Sequence, residues 1–172
     1  MKKFLSIIPL VILLCFTFGC PYKEAKTRAV EEQNKALVNR MYEALSTGDF
    51  EAFKELLAPD YGCYYPSRSA RPISREEMIG IVKMQRKAFP DLAFSIEELI
   101  AVEDRVIVRI ILRGTHEGGY RGIPATGNKF VGSGIIIGRI ENGKFVEERG
   151  EFDMLGMLMQ LGVELKPKEA KK

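Results

Sequence analysis

The chain has 172 residues, with 26 Lys and Arg against 23 Asp and Glu, and 46% of its residues are hydrophobic. This length suits one domain with one core. The near balance of charge excludes the strongly basic footprint of a nucleic-acid-binding protein, and no basic stripe interleaved with aromatic residues occurs in the sequence.

The first nineteen residues have the pattern of a secretory signal. Two lysines precede an apolar run from Phe4 to Phe18, which ends at Gly19-Cys20. A charged start, a short apolar core and small residues before a cleavage point form such a signal. The run is shorter than the roughly 20 residues of a membrane-spanning helix. We therefore predict a signal peptide at 1–19, whose removal leaves 24 basic and 23 acidic residues.

The cysteine at the end of this segment indicates a bacterial lipoprotein. We expect acylation of Cys20, attachment to a membrane through the lipid, and a location in the bacterial cell envelope. Because Thr17-x-Gly19 also fits ordinary signal-peptidase cleavage, a secreted or periplasmic protein is the alternative. With Cys20 acylated, Cys63 has no intramolecular partner and is predicted to be a buried, inert thiol; without acylation, a Cys20–Cys63 disulfide becomes conceivable.

Three helices are predicted after a tether at residues 20–30. The first runs from about Lys26 to Leu45, where apolar residues that include Val30 recur at helical spacing. Asp49 is the predicted cap of a short second helix, which Pro59 stops. Ser74 and Glu77 form a capping box, which predicts a third helix that ends at about Phe89.

Strand patterns dominate from Leu92 to Phe152. Predicted strands at 92–102 and 106–114 flank a short turn, and those at 129–140 and 145–152 flank Glu141-Asn-Gly-Lys144, whose Asn-Gly is a strong hairpin signal. Glycines at 132, 134 and 138 are typical of bends and close backbone approaches. A short helix at 154–161 and a charged tail at 164–172 follow. Helices followed by a strand meander predict an α+β fold.

Two segments carry a family resemblance over roughly residues 34–162. They are Gly114-Thr-His-Glu-Gly-Gly-Tyr-Arg-Gly-Ile-Pro-Ala-Thr-Gly127 and Phe152-Asp-Met-Leu-Gly-Met-Leu-Met-Gln-Leu-Gly162. In this order they resemble the SnoaL-like polyketide cyclase or ester cyclase family of the nuclear-transport-factor-2-like superfamily. The resemblance implies a domain at 31–163 with a cone-shaped fold. In that fold about three N-terminal helices pack on a strongly curved, mainly antiparallel sheet, and a short C-terminal helix follows.

The resemblance also implies a chemistry for Asp153. In the cyclases, the Asp at this point acts as general acid and base in an intramolecular aldol closure, with no metal and no cofactor. An apolar wall would raise the pKa of such a carboxyl, so that it both takes and gives a proton. The alternative role for Asp153 is to cap the 154–161 helix. Strand parity places Asp153 on one face with Glu147, Arg149 and Glu151, and Val146 and Phe152 on the other.

His116 is the second candidate catalytic residue. Parity with the apolar residues of its strand points it inward, provided that no bulge intervenes. It is the only histidine, so the sequence offers no His-rich metal site, and no metal is predicted. His116 is either a polar wall or proton carrier of a pocket, or a hydrogen-bonded residue that fixes the loop at 115–128.

Three tyrosines are candidate substrate-binding residues. The resemblance matches Tyr42 roughly to a pocket tyrosine, although packing is the common role of a helical tyrosine. Many relatives have His or Asn in the segment where this chain has Tyr61-Gly-Cys-Tyr-Tyr65, so Tyr64 or Tyr65 is expected to supply a hydroxyl donor. The expected partner is a small apolar or carbonyl-containing ligand.

Two functions follow from these features. One is a cofactor-free cyclase or isomerase that uses Asp153, and the other is a non-catalytic ligand-binding or envelope accessory lipoprotein. Homodimerisation through the outer face of the sheet is common in the superfamily and is compatible with both.

Overall fold

The computed structural model describes residues 21–164, so the predicted signal peptide, Cys20 and nearly all of the charged tail lie outside the described residues. The described chain forms four helices and six strands. In chain order they are α1 (Pro21–Thr47), α2 (Phe50–Leu56), β1 (Leu57–Tyr64), β2 (Ile73–Ser74), α3 (Arg75–Ala88), β3 (Ala93–Val102), β4 (Arg105–Thr115), β5 (Lys129–Glu141), β6 (Lys144–Phe152) and α4 (Met154–Gln160).

Helix α1 begins at Pro21, earlier than the predicted Lys26, so the segment expected to be a tether is largely helical. From residue 24 onward, its first buried side chain is Asn34, whereas Val30, one of the apolar residues at helical spacing, is 37% exposed. The Asn34 amide donates to the carbonyl oxygen of Glu103 at 2.9 Å. This bond attaches the middle of α1 to the turn between β3 and β4.

The predicted helix caps are confirmed. The Asp49 carboxylate accepts from the Ala52 backbone N–H at 2.9 Å at the start of α2. At the start of α3, the Ser74 hydroxyl accepts from the Glu77 N–H while the Glu77 carboxylate accepts from the Ser74 N–H. These side chains satisfy backbone donors that have no partner within their own helix.

The six strands form one sheet in the order β2-β1-β6-β5-β4-β3, antiparallel except for the parallel pair β1 and β6. The four-strand meander is confirmed, but β1 and β2 were not predicted. Pro59 and Gly62 within β1 disfavour a strand in sequence terms. In the structure, the pairing of β1 with β6 shifts register between Leu57 and Gly62, so Pro59 lies in the irregular part of the ladder.

The buried side chains form two clusters on the helix-covered side of the sheet. The larger lies between α1, α2, α3 and the inner face of the sheet, and the smaller surrounds Phe89 and includes Tyr120, Phe130 and Met157. The predicted close approach at a β5 glycine is confirmed, because a Cβ on Gly134 would lie 2.6 Å from the Phe152 ring. None of the helices within residues 21–164 is both long and apolar enough to cross a membrane.

Candidate functional site

A cavity of about 260 Å³ lies between the two buried clusters. Its walls come from α1, α3, the inner face of β4, β5 and β6, and α4, and most of the lining side chains are aliphatic or aromatic. A cavity of roughly 150 Å³ already accepts benzene in other proteins, so this one has room for more than a single ring. The polar or charged residues in its wall are Tyr42, Tyr65, Gln85, Tyr120, Arg121, Ser133, Glu148 and Asp153.

Glu148 forms the buried end of the cavity, together with Tyr42 and Tyr65. Its side chain is buried, with a residue exposure of 4%, and one carboxylate oxygen accepts a hydrogen bond from the Tyr61 hydroxyl. No ion pair within residues 21–164 includes Glu148. Burial raises the pKa of this carboxyl to about 7, although the Tyr61 hydrogen bond acts to lower it.

The inward direction of Glu148 follows from its parity with Phe152 on β6, beyond a register shift at the start of the strand. The pairing of β5 with β6 shifts between Arg139 and Ile140, so Phe145 is buried and Val146 only partly so. Beyond the shift, Glu148 and Gly150 occupy the inner positions. The expectation that Val146 shares the buried face is therefore wrong at the start of β6, and Glu148 was not predicted as a site residue. Strict alternation back from Phe152 would have identified it.

The parallel pair β1 and β6 brings aromatic hydroxyls to Glu148. Cys63 is the register partner of Glu148, so the alternation along β1 turns Tyr61, Cys63 and Tyr65 to the same side. Burial first, and then the negative charge of Glu148, raises the pKa of the Tyr61 and Tyr65 hydroxyls. The same two causes act on Tyr42 from α1.

Tyr64 and Tyr65 differ in position. The Tyr65 ring lies over Gly150, where it would clash with an added Cβ, and packs edge-on against Phe152 at 5.0 Å between ring centroids. Tyr65, directly after β1, lines the cavity, and Tyr42 lines it from helix α1. Tyr64 points to the other face of β1, where the Arg149 guanidinium lies 3.9 Å from its ring centroid. Tyr64 is not among the residues that line the cavity.

Asp153 lies at the mouth of the cavity with an exposed side chain. It is the N-cap of α4, and its Oδ1 accepts from the Gly156 N–H at 2.8 Å. The cap leaves Oδ2 without a hydrogen-bond partner among the described residues. Asp153 therefore borders the cavity as expected, but the expected apolar wall does not enclose its carboxyl, because the side chain is exposed at the mouth. Arg121 also lines the mouth, above the Tyr120 ring.

His116 is completely buried and points inward, as its strand parity predicts. Its ring stacks on Phe89 at 5.3 Å, and its Nδ1 lies 3.1 Å from the Thr126 hydroxyl. Its backbone pairs with Gly127 and Asn128 across the loop. Phe89 lines the cavity and His116 does not. This geometry fits the interpretation in which His116 fixes the loop at 115–128, and gives it no direct access to the cavity.

The arrangement offers acid–base chemistry in an apolar space. Within the described part of the chain, no group of three or more His, Cys, Asp or Glu side chains has the geometry to hold a metal ion. Cys63 is a free, buried thiol whose pKa is raised by burial, which makes it a poor nucleophile. The remaining reactive groups at the cavity are two carboxyls, Glu148 and Asp153, and the hydroxyls of the tyrosines.

Comparison with known proteins identifies the family. The model of the SnoaL-like polyketide cyclase family matches residues 36–161. The chain belongs to the SnoaL-like polyketide cyclase family. Within it, the chain is similar to the aklanonic acid methyl ester cyclase DauD of Streptomyces sp. (strain C5), with 34% identity over 131 residues, 73% of this chain and 80% of that protein. It is equally similar, at 34% identity, to the aklanonic acid methyl ester cyclase DnrD of Streptomyces peucetius, of which it covers 88%.

Solved structures share the fold of this SnoaL-like chain. AclR from Streptomyces galilaeus superposes with a TM-score of 0.71 at 30% identity, over 77% of this chain and 97% of AclR. IdmH from Streptomyces antibioticus gives a TM-score of 0.66 at 31% identity, over 75% of this chain and 98% of IdmH. The predicted nuclear-transport-factor-2-like cone, with helices packed on a curved sheet and a short C-terminal helix, is confirmed.

Proposed function

We propose that this SnoaL-like protein is a cofactor-independent cyclase that closes a ring in a small, mainly apolar, carbonyl-containing molecule, with Asp153 as the proton carrier. The observation that carries the proposal is a carboxylate at the mouth of an apolar cavity with one oxygen free. Family membership and the two ester cyclases at 34% identity support a reaction of this class.

The proposed reaction needs one proton carrier and no added reagent. The Asp153 carboxylate takes a proton from a carbon next to a carbonyl group, and the electron pair of that C–H bond enters the enolate. The enolate carbon then forms a C–C bond to a second carbonyl carbon of the same molecule. The oxygen of that second carbonyl takes the proton back from Asp153. The product is an isomer of the substrate, and the enzyme returns to its starting state.

The test replaces the carboxylate and keeps the helix cap. Asn is as good an N-cap as Asp, so Asp153→Asn should preserve the bond to the Gly156 N–H while removing the base. The probe is acetylnaphthalene, whose methyl hydrogens lie next to its carbonyl. Exchange of these hydrogens in D₂O, followed by NMR, reports the first proton transfer. We expect Asp153→Asn to slow the catalysed exchange by about 10²-fold or more.

Asp49→Asn is the matched control, because Asp49 caps α2 in the same way and is not among the residues that line the cavity. It should leave the exchange rate unchanged. Aklanonic acid methyl ester, the compound in the names of two relatives, is the first full substrate to try, with ring closure at constant mass as the readout. Catalysis that survives in a folded Asp153→Asn variant would remove Asp153 from the proposal.

A non-catalytic ligand-binding or envelope accessory lipoprotein is the second candidate. Two observations favour it: the Lys2-to-Cys20 segment has the pattern of a lipoprotein signal, and the Asp153 side chain is exposed and already serves as a cap. In that case the wild-type protein should bind acetylnaphthalene and leave its exchange rate at the value measured without protein.

Acylation of Cys20 and anchoring in the cell envelope are part of the proposal. Their support is the charged, apolar and small-residue pattern that ends at Gly19-Cys20. Mass spectrometry of the N-terminal peptide from detergent-extracted protein should show a lipid on Cys20. A free amine and thiol on that residue would contradict the proposal and leave secretion as the alternative.

We also propose a homodimer through the outer face of the sheet. Large apolar side chains that are more than two-fifths exposed lie on β3, β4 and β5, and a second copy would cover them. Val131→Lys, a charge in this patch, should convert a dimer to a monomer in analytical ultracentrifugation. A wild-type protein that sediments as a monomer at high concentration would contradict it. The exposed side chains are Ile100, Val102, Ile107, Val131, Ile135 and Ile137.

A further inference from the structure

The buried end of the cavity contains a polar cluster that the proposed proton chemistry at Asp153 does not use. We propose that Glu148 is a ligand-binding residue: its carboxyl, held by Tyr61, donates a hydrogen bond to a carbonyl oxygen of the ligand and so selects carbonyl compounds over hydrocarbons of the same shape. The inference rests on the proposed function only in that the ligand must enter this cavity. The inference about Glu148 concerns ligand binding, whereas the role proposed for Asp153 concerns turnover.

The hydrogen-bonding geometry leaves one oxygen of Glu148 for the ligand. The Tyr61 hydroxyl donates to Oε2, and Oε1 has no hydrogen-bond partner among the described residues although Glu148 lines the cavity. A carboxyl that accepts at Oε2 and carries its proton on Oε1 presents an O–H donor to the cavity. A carbonyl oxygen is the complementary acceptor, and an unpaired polar group at this depth is costly.

The surroundings of Glu148 favour its neutral, donating form. The titratable groups that face it are the hydroxyls of Tyr42, Tyr61 and Tyr65 and the thiol of Cys63, none of which carries positive charge. Its register partner on β5 is Gly138, and the residues of α3 and β4 that line the cavity are uncharged. Arg121 and Asp153, the charged residues of the mouth, have exposed side chains. Burial accordingly raises the pKa of Glu148 to about 7.

Two probes of similar shape separate this hydrogen bond from apolar binding. Acetylnaphthalene has a carbonyl oxygen, and ethylnaphthalene has none. Their dissociation constants are measured by isothermal titration calorimetry with the full chain at pH 6 and pH 9. At pH 6 we expect the wild type to bind the ketone about 5-fold more tightly than the hydrocarbon. This ratio of dissociation constants corresponds to one net hydrogen bond. The preference should disappear at pH 9, where the ionised carboxylate repels a carbonyl oxygen.

Substitutions at Glu148 sharpen the test. Glu148→Gln retains an N–H donor that does not titrate, so its preference for the ketone should be the same at both pH values. Glu148→Met has no donor, so it should bind both probes equally at both pH values. Glu147→Gln is the matched control, because Glu147 pairs with Arg149 and does not line the cavity; it should behave as the wild type. Circular dichroism establishes that each variant is folded.

The outcomes distinguish this inference from the proposed function. A wild-type preference that is identical at pH 6 and pH 9, or a Glu148→Met variant that keeps the preference, would overturn the role of Glu148 and leave proton transfer by Asp153 standing. Loss of exchange activity in Asp153→Asn with an intact ketone preference would support both. If neither probe binds the wild type, the cavity does not take such ligands and both proposals fail.

Discussion

The burial of Glu148 has a consequence for stability that needs no ligand. In the folded protein its carboxyl has a pKa of about 7, raised by burial from the ordinary value of 4.5. The unfolded chain therefore releases this proton at lower pH than the folded chain does. Between pH 4.5 and pH 7 the folded state holds one more proton than the unfolded state, so the free energy of unfolding falls as pH rises through this range. Above pH 7 the contribution is lost and the dependence levels off.

The size of the effect follows from the two pKa values. A difference of one unit corresponds to about 1.4 kcal/mol, so the full window from 4.5 to 7 amounts to about 3 kcal/mol. Between pH 5 and pH 8 the expected loss is roughly 2 to 3 kcal/mol, because part of the titration of the unfolded state lies below pH 5. This is a large fraction of the 5–15 kcal/mol that is typical of a whole domain.

Glu148→Gln isolates this contribution, because the amide occupies nearly the same volume and does not titrate. Urea unfolding of the wild type and the variant, followed by circular dichroism at pH 5, 6, 7 and 8, gives the difference in free energy at each pH. From pH 5 to pH 8, we expect the free energy of unfolding of the variant to rise by about 2 to 3 kcal/mol relative to that of the wild type. A difference that stays constant across this range would show that Glu148 does not titrate there, and the account of its burial would be wrong.

Three further predictions concern side-chain packing and burial. Gly150→Ala places a Cβ against the Tyr65 ring and should destabilise the fold by about 1–3 kcal/mol and weaken acetylnaphthalene binding, as measured by urea unfolding and calorimetry. Gly80→Ala, in α3 with no atom within 4 Å of the new Cβ, should instead stabilise the protein by about 0.5–1 kcal/mol in the same unfolding assay. Iodoacetamide should label Cys63 in urea but not in the native protein, since the thiol is buried and burial raises its pKa; rapid native labelling would contradict this.

Local signals allowed much of the fold to be predicted. The capping box at Ser74 and Glu77 and the Asn142-Gly143 turn are set by neighbouring residues, and the structure has both where they were expected. Asn142 and Gly143 have φ of 51° and 71°, the left-handed conformation that such a hairpin turn requires. Strand β1 could not be predicted in this way. Its pairing with β6 joins residues far apart in the chain, and Pro59 and Gly62 oppose strand formation locally.

The candidate site was harder to predict than the fold, because side-chain direction depends on register. Tyr42, Tyr65 and Asp153 do line one cavity. Tyr64 and Tyr65 are neighbours in sequence, and only the pairing of β1 with β6 decides which one faces inward. Glu148 lies in the run Glu147-Glu-Arg-Gly-Glu151, whose composition is typical of a solvated strand face. The alternation along β6 turns Glu148 inward, where its carboxylate accepts a hydrogen bond from the Tyr61 hydroxyl of β1.

The two carboxyls of the cavity differ in their access to water, and this difference supports the separate roles that we propose for them. Asp153 is exposed at the mouth, where, in the proposed reaction, a proton taken from the substrate can exchange with solvent between turnovers. Glu148 is buried beside Tyr42, Tyr61 and Tyr65 in the cavity wall, so the charge left by a proton transfer there would be neither hydrated nor paired with a cation. A buried carboxyl in these surroundings is better suited to hold its proton and share it in a hydrogen bond than to give it away. In the two roles that we propose, strand β6 supplies a hydrogen-bond donor deep in the cavity and, where the strand ends, a base at its entrance.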